Sequence, residues 1–460
     1  MGIIFAYILS TRLFRVRLSC TQSNYMHLHI KGLIVILAGI AMLSACATST
    51  PVNTNTTVAN SNTAPAPPQE LEPEYSSVIV TLPIIDALMS DEEFRNRTQS
   101  ELQLTHEEIQ KLYDVTRGAV LELDEEDYDE TTGSTAASAR NAEEKLREAL
   151  GPEKATRFLN MVRRHIGGSD AAVFAQGKPN SVPTDSRIVV NAPAYRMDVF
   201  ENGQLKRSYK VGIGYPEFPL PVGLRKADTL IFNPTWTPPD EPWVKGSVSP
   251  GKTVDAGSKL NPLGIVKIPI GLPSLIHAGK SEGRLGTFAS HGCVGLTNDQ
   301  ARDFTLMLSS IGGAELTEAD IAEYRKNDDE TKEIKLQREI PVELRYETIV
   351  VEDGKLHIMR DVYERGTNTE ETLRRVLDAV GVSFDQLQPA DKEKILAALD
   401  KMAVDAKGDP VEEDANTNAN KAKPNTSKTV TRNIKGEKRI TFELAELRGK
   451  GYPAPIGATF

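Results

Sequence analysis

The stretch "IHAGKSEGRLGTFASHGCVGL", residues 276–296, decides how the chain is read. Short apolar runs break at glycines, a pattern of strands and turns rather than helix. Three reactive side chains fall inside it: His277, His291 and Cys293. A thiol becomes a useful nucleophile when a nearby base or cation favours its thiolate. Gly292 has no side chain, so its backbone can approach a ligand or present an N–H. Just beyond, Thr297 opens a helix, whose positive end favours negative charge nearby. Together these features favour a chemical role for Cys293 over inert packing. They do not name a substrate.

The N-terminus explains why cysteines are so few. The chain holds three: Cys20, Cys46 and Cys293. Residues 27–46, "HLHIKGLIVILAGIAMLSAC", run from a basic end through an apolar stretch to small residues. That is the pattern of a secretory signal, and residues 1–46 are assigned to it. Its end, "LSAC", resembles the lipobox of bacterial lipoproteins. The resemblance implies acylation of Cys46, with a plain signal peptide or an uncleaved anchor as alternatives. Ala47 follows the cysteine, which by the usual sorting rule of that family implies the outer membrane. Residues 1–25 read as an over-extended start, because Met26 would open a normal signal. With Cys46 lipidated, Cys293 is left as a lone thiol in an oxidising compartment, without a disulfide partner.

The remainder divides by composition. Residues 47–72, rich in Thr, Asn, Ala and Pro, are expected to be a solvated tether. Residues 75–166 are expected to be helical. Thr105 and Glu108 form a capping box before Ile109, Leu112, Tyr113 and Val115. Two further helical runs flank the stop at Gly151-Pro152. His106 and His165 could bind metal, but no ligand cluster accompanies them, and surface or capping roles are favoured. From 187 the period becomes two, with hairpin turns at Asn202-Gly203 and Asp353-Gly354. Thr297 and Gln300 box a helix that Gly312-Gly313 ends. Residues 187–363 thus read as one mostly β domain, residues 368–404 as two helices, and residues 405–460 as a largely disordered tail. The last residues of that tail are able to add a strand. The formal net charge of −10 argues against nucleic acid as a partner.

The His–gap–Ser-His-Gly-Cys order of residues 277–293 resembles the active-site signature of L,D-transpeptidases of the YkuD type. "FPLPVG" (218–223), "NPTW" (233–236) and "NPLG" (261–264) are similar to further parts of that family's pattern. The resemblance covers roughly 187–363. It implies a sandwich- or barrel-like, mostly β catalytic domain with a helix after the cysteine, flanked here by α-helical N-terminal and C-terminal regions. Cys293 would be the nucleophile and His277 the base, its imidazole oriented by a backbone carbonyl near Ala278. His291 would line the site, and the N–H groups around Gly292 and Cys293 would form the oxyanion hole. Ser290 would fix the loop through its hydroxyl and face the substrate together with Trp236 and Arg284. Trp243, Tyr215 and Phe218 are further aromatics that either wall the groove or anchor loops. One departure stands out. Most members carry Arg two places after the cysteine, and here it is Gly295. Lys280 and Arg284 either compensate that charge or are solvated loop cations.

The resemblance further implies the chemistry. Cys293 would attack a peptidoglycan stem peptide, release D-alanine, and pass the acyl group from a thioester to an amine. That amine would belong to a second stem or to an outer-membrane protein or lipoprotein. No metal or organic cofactor is called for. The protein would act in the periplasm, held to the membrane by its N-terminal lipid. An L,D-carboxypeptidase using water, and a non-catalytic wall-binding module, are the rival readings. Only Gly295 speaks for the latter.

Overall fold

The computed structural model describes residues 78–123, 133–167, 177–237, 252–410 and 430–457. The signal segment with Cys46, the tether and Trp243 lie outside them. Among the described residues no helix is long and apolar enough to cross a membrane.

The described chain opens with helices α1 (Leu82–Met89), α2 (Glu92–Leu102), α3 (His106–Leu121), α4 (Thr135–Leu150) and α5 (Pro152–Gly167). The capping box before α3 is present, with Thr105 Oγ1 and the Glu108 carboxylate each accepting the other's backbone N–H. The helices share one apolar core, in which Leu88, Leu112, Leu146, Phe158 and Ile166 are fully buried. His165 belongs to this unit. Arg97 lies 2.8 Å from its Nδ1, and its ring sits 4.9 Å from that of Phe94.

The β-rich part follows in chain order: β1 (Arg187–Asn191), β2 (Arg196–Glu201), β3 (Gln204–Lys210), β4 (Ile213–Gly214) and β5 (Gly223–Phe232). Then come β6 (Val266–Pro269), β7 (Leu275–His277), β8 (Phe288–Ser290) and β9 (Val294–Gly295). Helices α6 (Asn298–Gly312) and α7 (Glu318–Lys326) lead to the long strand β10 (Lys332–Arg345). Eight strands form one sheet in the order β3-β2-β1-β10-β5-β6-β7-β9, while β4 pairs with β8 separately. At the β2–β3 turn, Asn202 and Gly203 both take positive φ, as a two-residue hairpin requires. The chain leaving β3 bridges across to β9 through reciprocal Gly212–Gly295 backbone bonds of 3.0 and 2.9 Å. The two edges of the sheet are thereby joined, so the sheet curls on itself around one core. Ile188, Met197, Leu230, Ile268, Ile276 and Val294 fill its interior.

Two boundaries differ from the sequence reading. The Asp353-Gly354 hairpin, β11 (Ile349–Glu352) and β12 (Lys355–Met359), does not join the main sheet. Its paired residues Ile349–Ile358 and Val351–Leu356 pack on α8 (Glu370–Ala379) and α9 (Pro389–Met402) instead. The hairpin therefore packs with the C-terminal helices, while Val362 and Tyr363 just beyond it return to the main core. The second correction concerns the tail. Residues 430–457 are not disordered: β13 (Arg439–Glu443) pairs with β12, and Tyr452 N–H donates to Val351 O at 2.8 Å. This is the strand that the last residues were expected to allow, with Ile440 and Phe442 turned inward between exposed polar residues.

Candidate active site

Two parallel neighbours at one end of the curled sheet carry the chemistry. His277 ends β7 and pairs with Gly295 of β9, while Ile276 pairs with Val294. Cys293 immediately precedes β9, and its thiol meets the main chain of Leu275, two residues before His277. Cys293 stands two residues before Gly295, the ladder partner of His277, so the turn that bears the thiol lies beside the end of β7 that bears the imidazole. His277 is 4% exposed and Cys293 half-buried. The Nδ1 of His277 lies 2.7 Å from the carbonyl oxygen of Ala278. If that nitrogen carries the proton, the bond fixes both ring orientation and tautomer.

Burial governs the protonation of both groups. It pushes the Cys293 thiol above its ordinary value, and a backbone contact with Leu275 and the charge of Lys280 oppose that rise. It pushes His277 down to about 3, helped by the Lys280 charge and opposed by the carbonyls of Ala278 and Pro262. At neutral pH the resting pair is thus a neutral thiol beside a neutral imidazole.

The turn 290–293 is held by hydroxyls. Ser290 Oγ donates to Cys293 O at 2.6 Å and accepts from Cys293 N–H at 3.0 Å. Ser290 is 4% exposed, and its hydroxyl serves the turn. The same hydroxyl engages the Cys293 N–H, one of the groups expected around an oxyanion hole. Ser274, which the sequence did not reveal, donates to Gly292 O at 2.6 Å from a buried position. Gly292 adopts a φ of 84°, where any other L residue would be strained. The absence of a side chain at Gly214 matters equally, since a Cβ there would lie 3.0 Å from Gly292 Cα.

His291 sits between aromatic edges. The rings of Tyr215 and Phe218 meet it at 5.1 and 4.6 Å, nearly perpendicular. Both aromatics are almost fully buried, so they anchor the turn rather than offer an open groove wall. Arg284, expected near substrate, donates from Nη2 to Phe288 O at 2.5 Å and ties its own loop together. Trp236 is positioned by a two-way backbone bridge with Val254, of 3.0 and 2.7 Å, at the mouth of a segment beyond the described residues. Asn298, at the first position of α6, accepts from Gly279 N–H at 3.2 Å and steadies the chain leaving His277. Neither Ser274 nor Asn298 carries a local signal. Each acts across a fold that only the sheet topology reveals.

Residues 185–310 match the family model YkuD, the L,D-transpeptidase catalytic domain. Among solved structures, the catalytic domain of the Enterococcus faecium L,D-transpeptidase is 16% identical, with a TM-score of 0.23, covering 36% of this chain and 100% of that one. An L,D-transpeptidase from Mycobacterium smegmatis is 17% identical at a TM-score of 0.21, over 35% of this chain and 58% of that one. One from Mycobacterium tuberculosis H37Rv is 16% identical at 0.21, over 35% and 57%. The match thus spans little more than half of each mycobacterial chain. No curated protein matches the chain.

Proposed function

We propose that this protein is a cysteine-dependent L,D-transpeptidase acting on peptidoglycan stem peptides. The observation that carries this reading is the placement of Cys293 and His277 on adjoining strands within a segment matching the catalytic-domain model. The thiol proton passes to His277 as sulfur attacks the carbonyl that precedes the terminal D-alanine. The carbon–nitrogen bond breaks, His277 returns the proton to the leaving amine, and a thioester remains. An acceptor amine then attacks the thioester, losing its proton to His277, and Cys293 is released as the thiol. His291 and Gly292 shape the turn that presents the sulfur. The lipobox-like "LSAC" and the tether support an enzyme anchored through Cys46 to the outer membrane, facing the wall.

The test is intact-mass analysis after exposure to a carbapenem, run beside Cys293→Ala. The expected outcome is a covalent adduct on the unaltered protein alone. A folded protein with a free Cys293 that forms no adduct would sink the reading. Muropeptide products then identify the acceptor: a cross-linked dimer means a stem amine, a shortened stem means water.

A further inference from the structure

We propose that Lys280 is the working cation of this site, its stem lying across Gly295 and its ammonium serving Cys293. The argument begins with the ladder. His277 and Gly295 are direct partners on parallel strands, so whatever stands over Gly295 stands on the side of the imidazole. What stands there is Lys280. A Cβ placed on Gly295 would meet Lys280 Cγ at 2.7 Å, Cε at 2.8 Å and Cδ at 3.3 Å. Those are its three nearest contacts, so the lysine stem stands in the space that a side chain at 295 would need. The backbone of Lys280 is fixed as well, its N–H donating to Leu296 O at 2.9 Å. Lys280 itself is half-buried, where a charge is screened less than on an open surface.

The charge has a sense on each partner. It lowers the cost of an anion on Cys293 and resists a cation on His277. Both effects suit the sequence of steps. A thiolate forming during attack is stabilised, while an imidazolium formed by the same transfer is kept acidic and gives its proton up to the leaving amine. Among the described residues His291 is the other ionisable group that acts on His277. The catalytic use of the cation rests on the proposed acyl transfer; its effect on the thiol does not.

Iodoacetamide separates the two, because it is uncharged and needs no stem peptide. Its reaction with the peptide containing Cys293 is followed by mass across pH in the full chain. Lys280→Met is expected to slow alkylation at neutral pH about tenfold and to move its midpoint up by about one pH unit. Lys280→Arg should keep the original profile. Lys280→Ala combined with Gly295→Arg should recover it, since the first change clears the space into which the second projects. If Lys280→Met does not fold, as shown by its melting curve, Lys280→Gln reads the same quantity. Superimposed profiles for the neutral variant and the unaltered protein would overturn the proposal. So would an arginine variant as slow as the neutral one. A clear lysine effect without any acyl transfer to stem peptides would instead remove the transpeptidase reading and leave the cation in place.

Discussion

Ser290 makes the case at the scale of the residue. One hydroxyl satisfies both backbone polar groups of Cys293. Ser290→Ala should therefore cost roughly 1–3 kcal/mol, the penalty of leaving buried polar groups unpaired, and should reduce carbapenem acylation of Cys293 at least several-fold. Thermal unfolding and acylation rates measured together check this; unchanged values for both would show the turn to be held otherwise. The candidate nucleophile and base were legible because their chemistry requires particular residue types in a particular order. The carbonyl expected near Ala278 is where the imidazole finds it. The partner of Arg284 was not legible, because a cation close in sequence to a thiol need not point at it. Its guanidinium closes a turn of its own loop. Ser274 was invisible for a different reason: a lone serine beside a proline carries no signal until β7 and β9 are paired.

Among the elements, the loop 214–220 gathers support from three separate parts of the chain. Thr81 Oγ1 donates to Glu217 O at 2.8 Å and Thr135 Oγ1 to Pro216 O at 2.9 Å, both from the helical N-terminal region. Thr431, from the tail, donates its N–H and its hydroxyl to the Glu217 carboxylate at 3.2 and 3.1 Å. The Tyr363 hydroxyl donates to Gly214 O at 2.8 Å and accepts from Leu220 N–H at 3.2 Å. This loop carries Tyr215 and Phe218, the rings against His291. The flanking regions thus reach the site through it. Tyr363→Phe removes two of these bonds at a fully buried position and should destabilise the protein by roughly 1–3 kcal/mol. Urea unfolding measures that loss, and a slower acylation of Cys293 should accompany it. Hairpin turns and capping boxes were readable because each is written in adjacent residues. The seat of β10 between β1 and β5 was not, since pairing between distant strands leaves no local mark.

For the whole molecule, buried acids set the response to pH. Burial raises Glu217 and Glu364 from 4.5 to about 7. Glu364 takes hydrogen bonds from the start of α4, through Ser134 Oγ and the N–H groups of Thr135 and Ala136. A carboxyl raised on folding contributes its stability fully below pH 4.5, and that contribution is lost as pH rises through about 7. His277 acts oppositely. Its depressed value leaves the folded state intact above 6.5 and removes stability as pH falls from there toward 3. Between pH 5 and 8 the two acids should lower the melting temperature as pH rises, and Glu217→Gln should flatten that slope by an amount on the order of 2 kcal/mol. An unaltered slope in the variant would place the titration elsewhere. The seat of β10 carries one more consequence. Without it the sheet order divides into β3-β2-β1 and β5-β6-β7-β9, left to meet at the Gly212–Gly295 bridge. The candidate motif precedes β10 in the chain, so the residues that would act are made before the sheet that holds them is whole.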